Sequence, residues 1–156
     1  MRILMVCLGN ICRSPIAEGV LQHKADVKGL GWVVESAGTE SYHVGEPPHR
    51  LSQKICLEHG IDISHQRARK FTRADVGCYD LIYAMAVDVL HEIHRTSGSV
   101  GAVGHIGLFL EELNPGLNES VPDPYYGGED GYHHVFDLVN RTCDAIINRY
   151  AQQGSK

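Results

Sequence analysis

The stretch of sequence that decides the fold lies near the N-terminus and reads Cys7-Leu8-Gly9-Asn10-Ile11-Cys12-Arg13-Ser14, with Pro15 directly after it. The apolar run before it, residues 3–6, predicts a buried strand, and the apolar spacing of residues 16–21 predicts a helix. Pro15 suits the first turn of a helix, and Ser14 is a good N-cap residue. The stretch is therefore predicted to be a loop between the end of a strand and the start of a helix.

A loop in this position is suited to binding an anion. Successive backbone N–H groups can point into it, and the helix dipole adds positive potential at the same place. Arg13 can bind two oxygens of a tetrahedral anion, and Asn10 tolerates the left-handed backbone that such a loop needs. Because helix N-termini and nearby cations favour the thiolate form of cysteine, Cys7 is predicted to attack a bound phosphate. The alternative is a buried cysteine that only ends a strand; the five-residue spacing before Arg13 favours the nucleophile.

Length and composition predict one globular domain that spans residues 1–156, with a frayed tail at 152–156. The formal charge of −5 argues against a general nucleic-acid-binding protein. No stretch approaches ~20 uninterrupted apolar residues and no signal peptide is recognised, so we expect neither a membrane span nor secretion. Five cysteines without a regular spacing indicate free thiols in a reducing compartment, and we expect a cytoplasmic monomer. No metal is expected, since His91-Glu92-Ile93-His94 lacks the His-Glu-x-x-His spacing.

Hydrophobic periodicity predicts alternating strands and helices along the rest of the chain. Strands are expected at residues 32–37, 80–85 and 105–108, and helices at 50–59, from 87 onward and at 132–151. This alternation implies a parallel sheet with helices on both faces, and a ligand crevice at the carboxyl ends of the strands, where Cys7 lies. Cys56, Cys78 and Cys143 fall within apolar patterns and are predicted to be core or near-core thiols.

Two motifs, residues 6–15 and Asp123-Pro124-Tyr125-Tyr126, together resemble the low-molecular-weight protein tyrosine phosphatase family. Further similarities at comparable spacing are Ser36-Ala37-Gly38-Thr39, Gly45 with Pro47-Pro48, His59-Gly60-Ile61 and Ser64-His65. The resemblance implies a three-layer flavodoxin-like α/β fold, in which a four-stranded parallel sheet has helices on both faces. It also implies hydrolysis of phosphotyrosine in protein substrates through a cysteinyl-phosphate, without a metal or another cofactor.

The resemblance also implies roles for individual residues. Cys7 would be the nucleophile, Arg13 would hold the phosphate, and Asp123 would be the general acid and base. The remaining loop residues and one distant histidine would bind the phosphate or support the loop; they are Leu8, Gly9, Asn10, Ile11, Cys12, Ser14 and His65. The chemistry agrees, because a phenolate leaving group needs a proton and Asp123 stands on a loop fixed by Pro124. Taken alone, an Asp-Pro pair is most simply a turn.

Aromatic side chains are expected to line the mouth of the site; they are Tyr42, Tyr125 and Tyr126, beside His43. Aromatic walls suit a flat phenyl ring and give the pocket a depth that a short phosphoserine cannot use. The alternative is that these are ordinary surface tyrosines. Members of the family differ at Tyr42 and His43, so the resemblance does not transfer a fine specificity.

Cys12 lies in the same loop as Cys7 and has two interpretations. In some family members, a reversible disulfide within this loop protects the nucleophile against irreversible oxidation, and the resemblance implies the same Cys7–Cys12 switch here. Packing against apolar neighbours would also explain Cys12.

One position departs from the family pattern. After the third central strand the family commonly has Met-Asp, whose carboxylate helps to anchor the arginine, whereas this chain has Met85-Ala86. Either Asp88 reaches Arg13 from the next turn, or Arg13 is held less firmly and activity is lower.

The sequence leaves two rival functions open. An arsenate reductase on the same scaffold needs further cysteines as an electron relay after the third strand, and the part of the chain around this strand offers Cys78 alone. The second rival is a phosphotyrosine-binding or redox-sensing protein that has lost turnover, which the missing carboxylate at Ala86 favours. The presence of Cys7, Arg13 and Asp123 argues against it.

Overall fold

A computed structural model describes residues 1–98 and 105–151 of the chain. The strands are β1 Arg2–Cys7, β2 Val33–Gly38, β3 Leu81–Ala84 and β4 His105–Leu108. The helices are α1 Arg13–Val27, α2 Arg50–Glu58, α3 Val87–Ser97 and α4 Glu129–Tyr150. Two short 3-10 turns lie at Arg73–Gly77 and Phe109–Glu112. The predicted frayed tail at 152–156 lies outside the described residues.

The four strands form one parallel sheet in the order β2-β1-β3-β4. Strand β1 lies inside the sheet and is buried from Ile3 onward, which explains its unbroken run of apolar residues. Side chains alternate between the two faces, so Ile3 and Met5 belong to one core while Leu4 and Val6 belong to the other. The sheet therefore has an apolar core on each side.

Helices cover both of these cores. Helices α1, α2 and α4 pack on one face, where the fully buried Leu21 and Tyr132 lie. Helix α3 packs on the opposite face through Val89 and Ile93. This arrangement confirms the predicted three-layer, flavodoxin-like α/β fold. Over residues 1–98 and 105–151, no helix is both long and apolar enough to cross a membrane.

The carboxyl ends of β1 and β2 bring the predicted loop against the sheet. Cys7 ends β1 and is in register with Gly38, the last residue of β2. A Cβ atom on Gly38 would lie 2.9 Å from the carbonyl oxygen of Leu8 and 3.0 Å from the backbone nitrogen of Asn10. The close approach of the loop to β2 therefore requires a glycine at this position.

Ser14 does not have the capping role that the sequence predicts. Helix α1 begins at Arg13, so Cys12 is at the N-cap position and Ser14 lies in the first turn. The Ser14 hydroxyl is 3.0 Å from the Cys7 sulfur, and it contacts the loop instead of capping its own helix.

The cysteine predictions are correct at two positions and wrong at one. Cys56 and Cys143 are buried, as their apolar surroundings predict. Cys78 is exposed, because it follows a short 3-10 turn on the surface instead of lying within a buried element. Helix α4 is also longer than predicted, since it begins at Glu129.

Candidate active site

Cys7 lies at the base of a cavity formed by the loop between β1 and α1. Its side chain is buried, with 2% of the residue exposed. Asn10 has the predicted left-handed conformation, with φ 59°, and its backbone N–H donates to Cys7 Sγ over 3.3 Å. Ser14 Oγ approaches the same sulfur from α1. Two polar groups thus converge on the sulfur.

The side-chain amide of Asn10 determines the direction of these hydrogen bonds. Its oxygen accepts from the backbone N–H of Arg69 at 3.0 Å, which fixes the orientation of the amide. Its nitrogen therefore donates to Ser14 Oγ at 2.8 Å and to Ser36 Oγ at 2.9 Å. Because Ser14 Oγ accepts from Asn10, its own hydrogen is free to point at Cys7. The Ser14 hydroxyl can therefore donate to the sulfur.

Glu18 on α1 takes part in the same hydrogen-bond network. Ser36 accepts from Asn10 and donates to Glu18 Oε1 at 2.6 Å. Burial raises the pKa of Glu18 to about 7. A continuous chain of hydrogen bonds thus connects the half-buried Glu18 carboxyl group to Cys7 through Ser36, Asn10 and Ser14. Ser36, Glu18 and the Arg69 backbone support the loop, and no sequence motif pointed to them.

His65 is not part of this network. The resemblance implied that it braces the loop, but the side chain is exposed in a groove beside Glu18 and Gln66. Within the described residues, the side-chain hydrogen bonds of Asn10 go to Ser14, Ser36 and the Arg69 backbone. Ser36 occupies the bracing position because β2 carries it next to the loop.

Arg13 is buried at the start of α1, with 5% of the residue exposed. Its guanidinium donates to the carbonyl oxygen of Val121 at 3.1 Å. The backbone N–H of Val121 in turn donates to the carbonyl oxygen of Met85, at 2.7 Å, just after β3. Asp88 is exposed on the first turn of α3 and is not among the partners of Arg13. Arg13 is therefore held by the carbonyl oxygen of Val121, and Asp88 does not supply the carboxylate that is missing at Ala86.

Asp123 faces Arg13 across the cavity. One carboxylate oxygen lies 3.8 Å from the Arg13 guanidinium. The other accepts from the backbone N–H of Tyr125 at 3.0 Å, so the Asp-Pro pair does form a turn. The turn and the catalytic interpretation are thus compatible, because the turn points the carboxylate into the cavity.

One cavity brings together the predicted nucleophile, the predicted phosphate clamp and the predicted acid. Its lining consists of Cys7, Leu8, Gly9, Ile11, Cys12, Arg13, Tyr42, His43, Asp123, Tyr125 and Tyr126. The rings of Tyr125 and Tyr126 meet edge to face, with centroids 4.9 Å apart. Tyr42 and Tyr126 are largely exposed, so they form the outer rim. All four predicted substrate-binding side chains therefore lie at the mouth of the cavity.

Cys12 lies in this cavity wall and also packs against α4. Its sulfur is 3.4 Å from the Tyr132 hydroxyl. Burial raises the pKa of the Cys12 thiol to about 11. Both Cys7 and Cys12 are free thiols.

The described part of the chain contains one cluster whose side chains could together ligate a metal ion. It consists of Glu58, Glu129 and His133, all of them exposed. Glu129 is paired with the Lys54 ammonium at 2.5 Å. These residues do not line the cavity around Cys7.

Comparisons with known proteins agree with this geometry. A family described as low molecular weight phosphotyrosine protein phosphatase matches residues 2–156. The chain is 38% identical to a putative low molecular weight protein-tyrosine-phosphatase, slr0328, from Synechocystis sp., over 98% of each chain. It is 35% identical to the human low molecular weight phosphotyrosine protein phosphatase over 94% of each chain. The crystal structure of YfkJ from Bacillus subtilis superposes with a TM-score of 0.90 at 32% identity, covering 98% of this chain and 96% of the other. The chain therefore belongs to the low molecular weight phosphotyrosine protein phosphatase family.

Proposed function

We propose that this chain hydrolyses phosphotyrosine in protein substrates, and small aryl phosphates, through a phosphoryl group carried on Cys7. One observation carries the proposal: Cys7, Arg13 and Asp123 line a single cavity with an aromatic mouth. The family membership supports the same reaction.

In the first step, the Cys7 thiolate attacks phosphorus and the bond to the phenolic oxygen breaks. The backbone N–H groups of the loop and the Arg13 guanidinium bind the non-bridging oxygens, where the negative charge is held. Asp123 gives its proton to the departing oxygen, so the leaving group is a neutral phenol.

In the second step, water attacks the phosphorus of the cysteinyl-phosphate. Asp123, now a carboxylate, accepts a proton from this water, and the bond between sulfur and phosphorus breaks. The Ser14 hydroxyl donates to the departing thiolate, in the direction that the Asn10 amide imposes. Inorganic phosphate leaves, and the thiolate and the protonated acid are both restored.

The aromatic side chains at the mouth of the cavity favour phosphotyrosine over phosphoserine. Tyr42 and Tyr126 rise above the loop as exposed rings, and Tyr125 lies deeper, at 41% exposed. A phenyl ring long enough to bring its phosphate down to Cys7 packs between these rings. The shorter side chain of phosphoserine would not span this depth.

The direct test is an assay of an aryl phosphate in the presence of a chelator, run beside an assay of arsenate reduction. We expect metal-independent phosphate release and no arsenate-dependent consumption of thiols. The chain has no cysteine between Cys78 and Cys143, so it lacks a relay after β3. Thiol consumption without phosphatase activity would instead identify a reductase, and phosphate binding without turnover would identify a binding protein.

We also propose that Cys12 protects Cys7 during oxidation. Peroxide would convert the Cys7 thiolate to a sulfenic acid, and the Cys12 thiol would then displace water to form a disulfide. A dithiol reductant would restore both thiols. The position of both cysteines in one loop supports this step, although the buried Cys12 thiol has a raised pKa and would react slowly.

Replacing Cys12 by serine should therefore make oxidative inactivation irreversible. We expect wild-type protein treated with peroxide to regain most of its activity with dithiothreitol, and the Cys12→Ser variant to regain little. Cys78→Ser is the matched control, because Cys78 is exposed and does not line the cavity. Equal recovery of the Cys12→Ser variant and the wild type would show that Cys12 only packs.

We further propose that the chain works as a cytoplasmic monomer. One copy of the chain brings the side chains needed for both steps into one cavity, which supports catalysis by a monomer. A nucleophilic thiol stays reduced and active in a reducing compartment, which supports a cytoplasmic location.

A further inference from the structure

His49 has no part in the mechanism above, yet it contacts three elements of the site. It is half-buried at the N-cap of α2, where its Nδ1 atom accepts from the backbone N–H of Leu51 at 3.1 Å. Its own backbone N–H donates to the carbonyl oxygen of Ile11, in the phosphate-binding loop, at 2.8 Å. The start of α2 is thus attached directly to the loop that surrounds the nucleophile.

The imidazole ring also supports the aromatic side of the cavity. It stacks on Tyr132 with the ring centroids 5.3 Å apart and the planes at 23°. It meets Tyr125 edge to face, at 5.9 Å and 73°. Tyr132 in turn contacts Cys12, and Tyr125 lines the cavity. The ring therefore connects a helix cap to the wall that faces the substrate.

We infer that His49 positions the Tyr125 wall only while its imidazole is neutral, so that acidification loosens the wall and weakens substrate binding. This inference rests on the proposed phosphatase function, since Tyr125 matters there as a contact for the phenyl ring. His49 is a positioning residue because it acts through Tyr125 and the loop and does not line the cavity itself.

The hydrogen bond at the N-cap of α2 determines which protonation state of His49 fits the structure. Nδ1 accepts from Leu51, so it carries a lone pair and the ring proton is on Nε2. A second proton on Nδ1 would face the Leu51 N–H, and two donors cannot bond to each other. The resulting cation would also sit at the positive end of α2. An imidazolium can still lie over the Tyr132 ring, but it cannot keep the cap.

The electrostatic surroundings favour the neutral ring. Burial, and then the positive charge of Arg50, lower the pKa of His49 below its ordinary value of 6.5. The titratable groups that contact the ring are the phenols of Tyr125 and Tyr132, and the Cys12 thiol lies behind Tyr132. The pKa of Tyr132 is itself raised by burial, so this phenol stays neutral. The cap is therefore complete above the ordinary histidine pKa and is lost as the pH falls through the lowered one.

Two substitutions separate the cap from the stack. His49→Asn keeps a capping oxygen but cannot titrate and has no ring, whereas His49→Phe keeps the ring but has no acceptor. The matched control is His59→Asn, at the other end of α2, where the histidine stacks on Phe136 at 4.0 Å outside the cavity.

The kinetic test measures kcat and KM for an aryl phosphate between about pH 5 and pH 8. We expect the ratio of the wild-type KM to the His49→Asn KM to rise roughly fivefold as the pH falls. Ionisation of the substrate phosphate changes both KM values by the same factor, so it does not affect this ratio. The fall of kcat at acid pH should be the same in wild type and His49→Asn. The ratio of the wild-type KM to the His59→Asn KM should not change with pH. His49→Phe should have a raised KM at every pH. Parallel KM profiles for wild type and His49→Asn would overturn the inference.

An NMR titration of the wild-type protein tests the cap without any turnover. We expect the Leu51 amide and the His49 ring signals to shift together, with one midpoint below the ordinary histidine pKa. The Leu51 amide should not titrate in this range in His49→Asn. If aryl phosphates are not hydrolysed but the Leu51 amide and the His49 ring titrate together, the proposed function is wrong and the pH-dependent N-cap is still supported. If the Leu51 amide does not follow His49, the inference fails even in an active enzyme.

Discussion

Replacing Cys7 by serine should abolish turnover of aryl phosphates, with kcat lower by at least about 10⁴-fold. The serine side chain has nearly the same shape and keeps its neighbours Ser14 and Asn10. Its hydroxyl is protonated at neutral pH, however, and it is a poor nucleophile towards phosphorus without a base. The loop and Arg13 remain in place, so we expect the variant to bind inorganic phosphate as the wild type does.

The comparison of binding with turnover makes this prediction specific. Steady-state assays give kcat, and a phosphate titration followed by NMR or calorimetry gives the affinity. Cys56→Ser is the control for replacing a buried thiol, since Cys56 lies in the core and does not line the cavity. Undiminished turnover by Cys7→Ser would exclude Cys7 as the nucleophile.

Replacing Asp123 by asparagine should lower kcat by about 10²–10⁴-fold for a substrate with a poor leaving group. Asparagine keeps the shape of the side chain and an oxygen that can accept from the Tyr125 N–H, but it has no proton to give to a phenolate. The loss should be smaller for aryl phosphates whose phenols are strong acids, because such leaving groups depart without protonation.

The measurement is the slope of log kcat against the pKa of the leaving phenol, for wild type and Asp123→Asn. We expect a steep negative slope in the variant and a shallow one in the wild type. Asp88→Asn is the matched control, because Asp88 is an exposed carboxylate after β3 that does not contact Arg13. Identical slopes for wild type and Asp123→Asn would reject Asp123 as the general acid. A large loss in Asp88→Asn would show that Asp88 anchors Arg13 after all.

The features that could be predicted from the sequence are those determined by neighbouring residues along the chain. An apolar run, a small polar loop and a proline in a first helical turn specify the path from β1 to α1 without reference to the rest of the chain. The left-handed conformation of Asn10 follows in the same way, because few residues other than glycine tolerate it. That Asp123 lies near Cys7 could be predicted only from the family resemblance. No pattern in residues 111–131 shows which end of the sheet that segment crosses.

The supports of the loop could not be predicted, because they depend on contacts between distant segments. Ser36 is 26 residues from Asn10, and the Arg69 backbone is 59 residues away. Periodicity tells which face of β2 is buried, but not that a serine hydroxyl on that face meets an amide. His65 was assigned this role by resemblance and instead lies exposed beside the network. The hydrogen bond from Arg13 to the carbonyl oxygen of Val121 likewise joins residues 108 positions apart.

The central claim is that a phosphoryl group passes through the Cys7 sulfur, and trapping that intermediate tests it most directly. Wild-type protein is mixed with excess aryl phosphate and quenched in alkaline denaturant within its first turnovers, and its peptides are then analysed by mass spectrometry. We predict a single added phosphoryl group on the peptide that contains Cys7, and none in the Cys7→Ser variant. An actively hydrolysing protein with its phosphoryl group on another residue, or a phosphorylated Cys7→Ser variant that still turns over, would contradict the account.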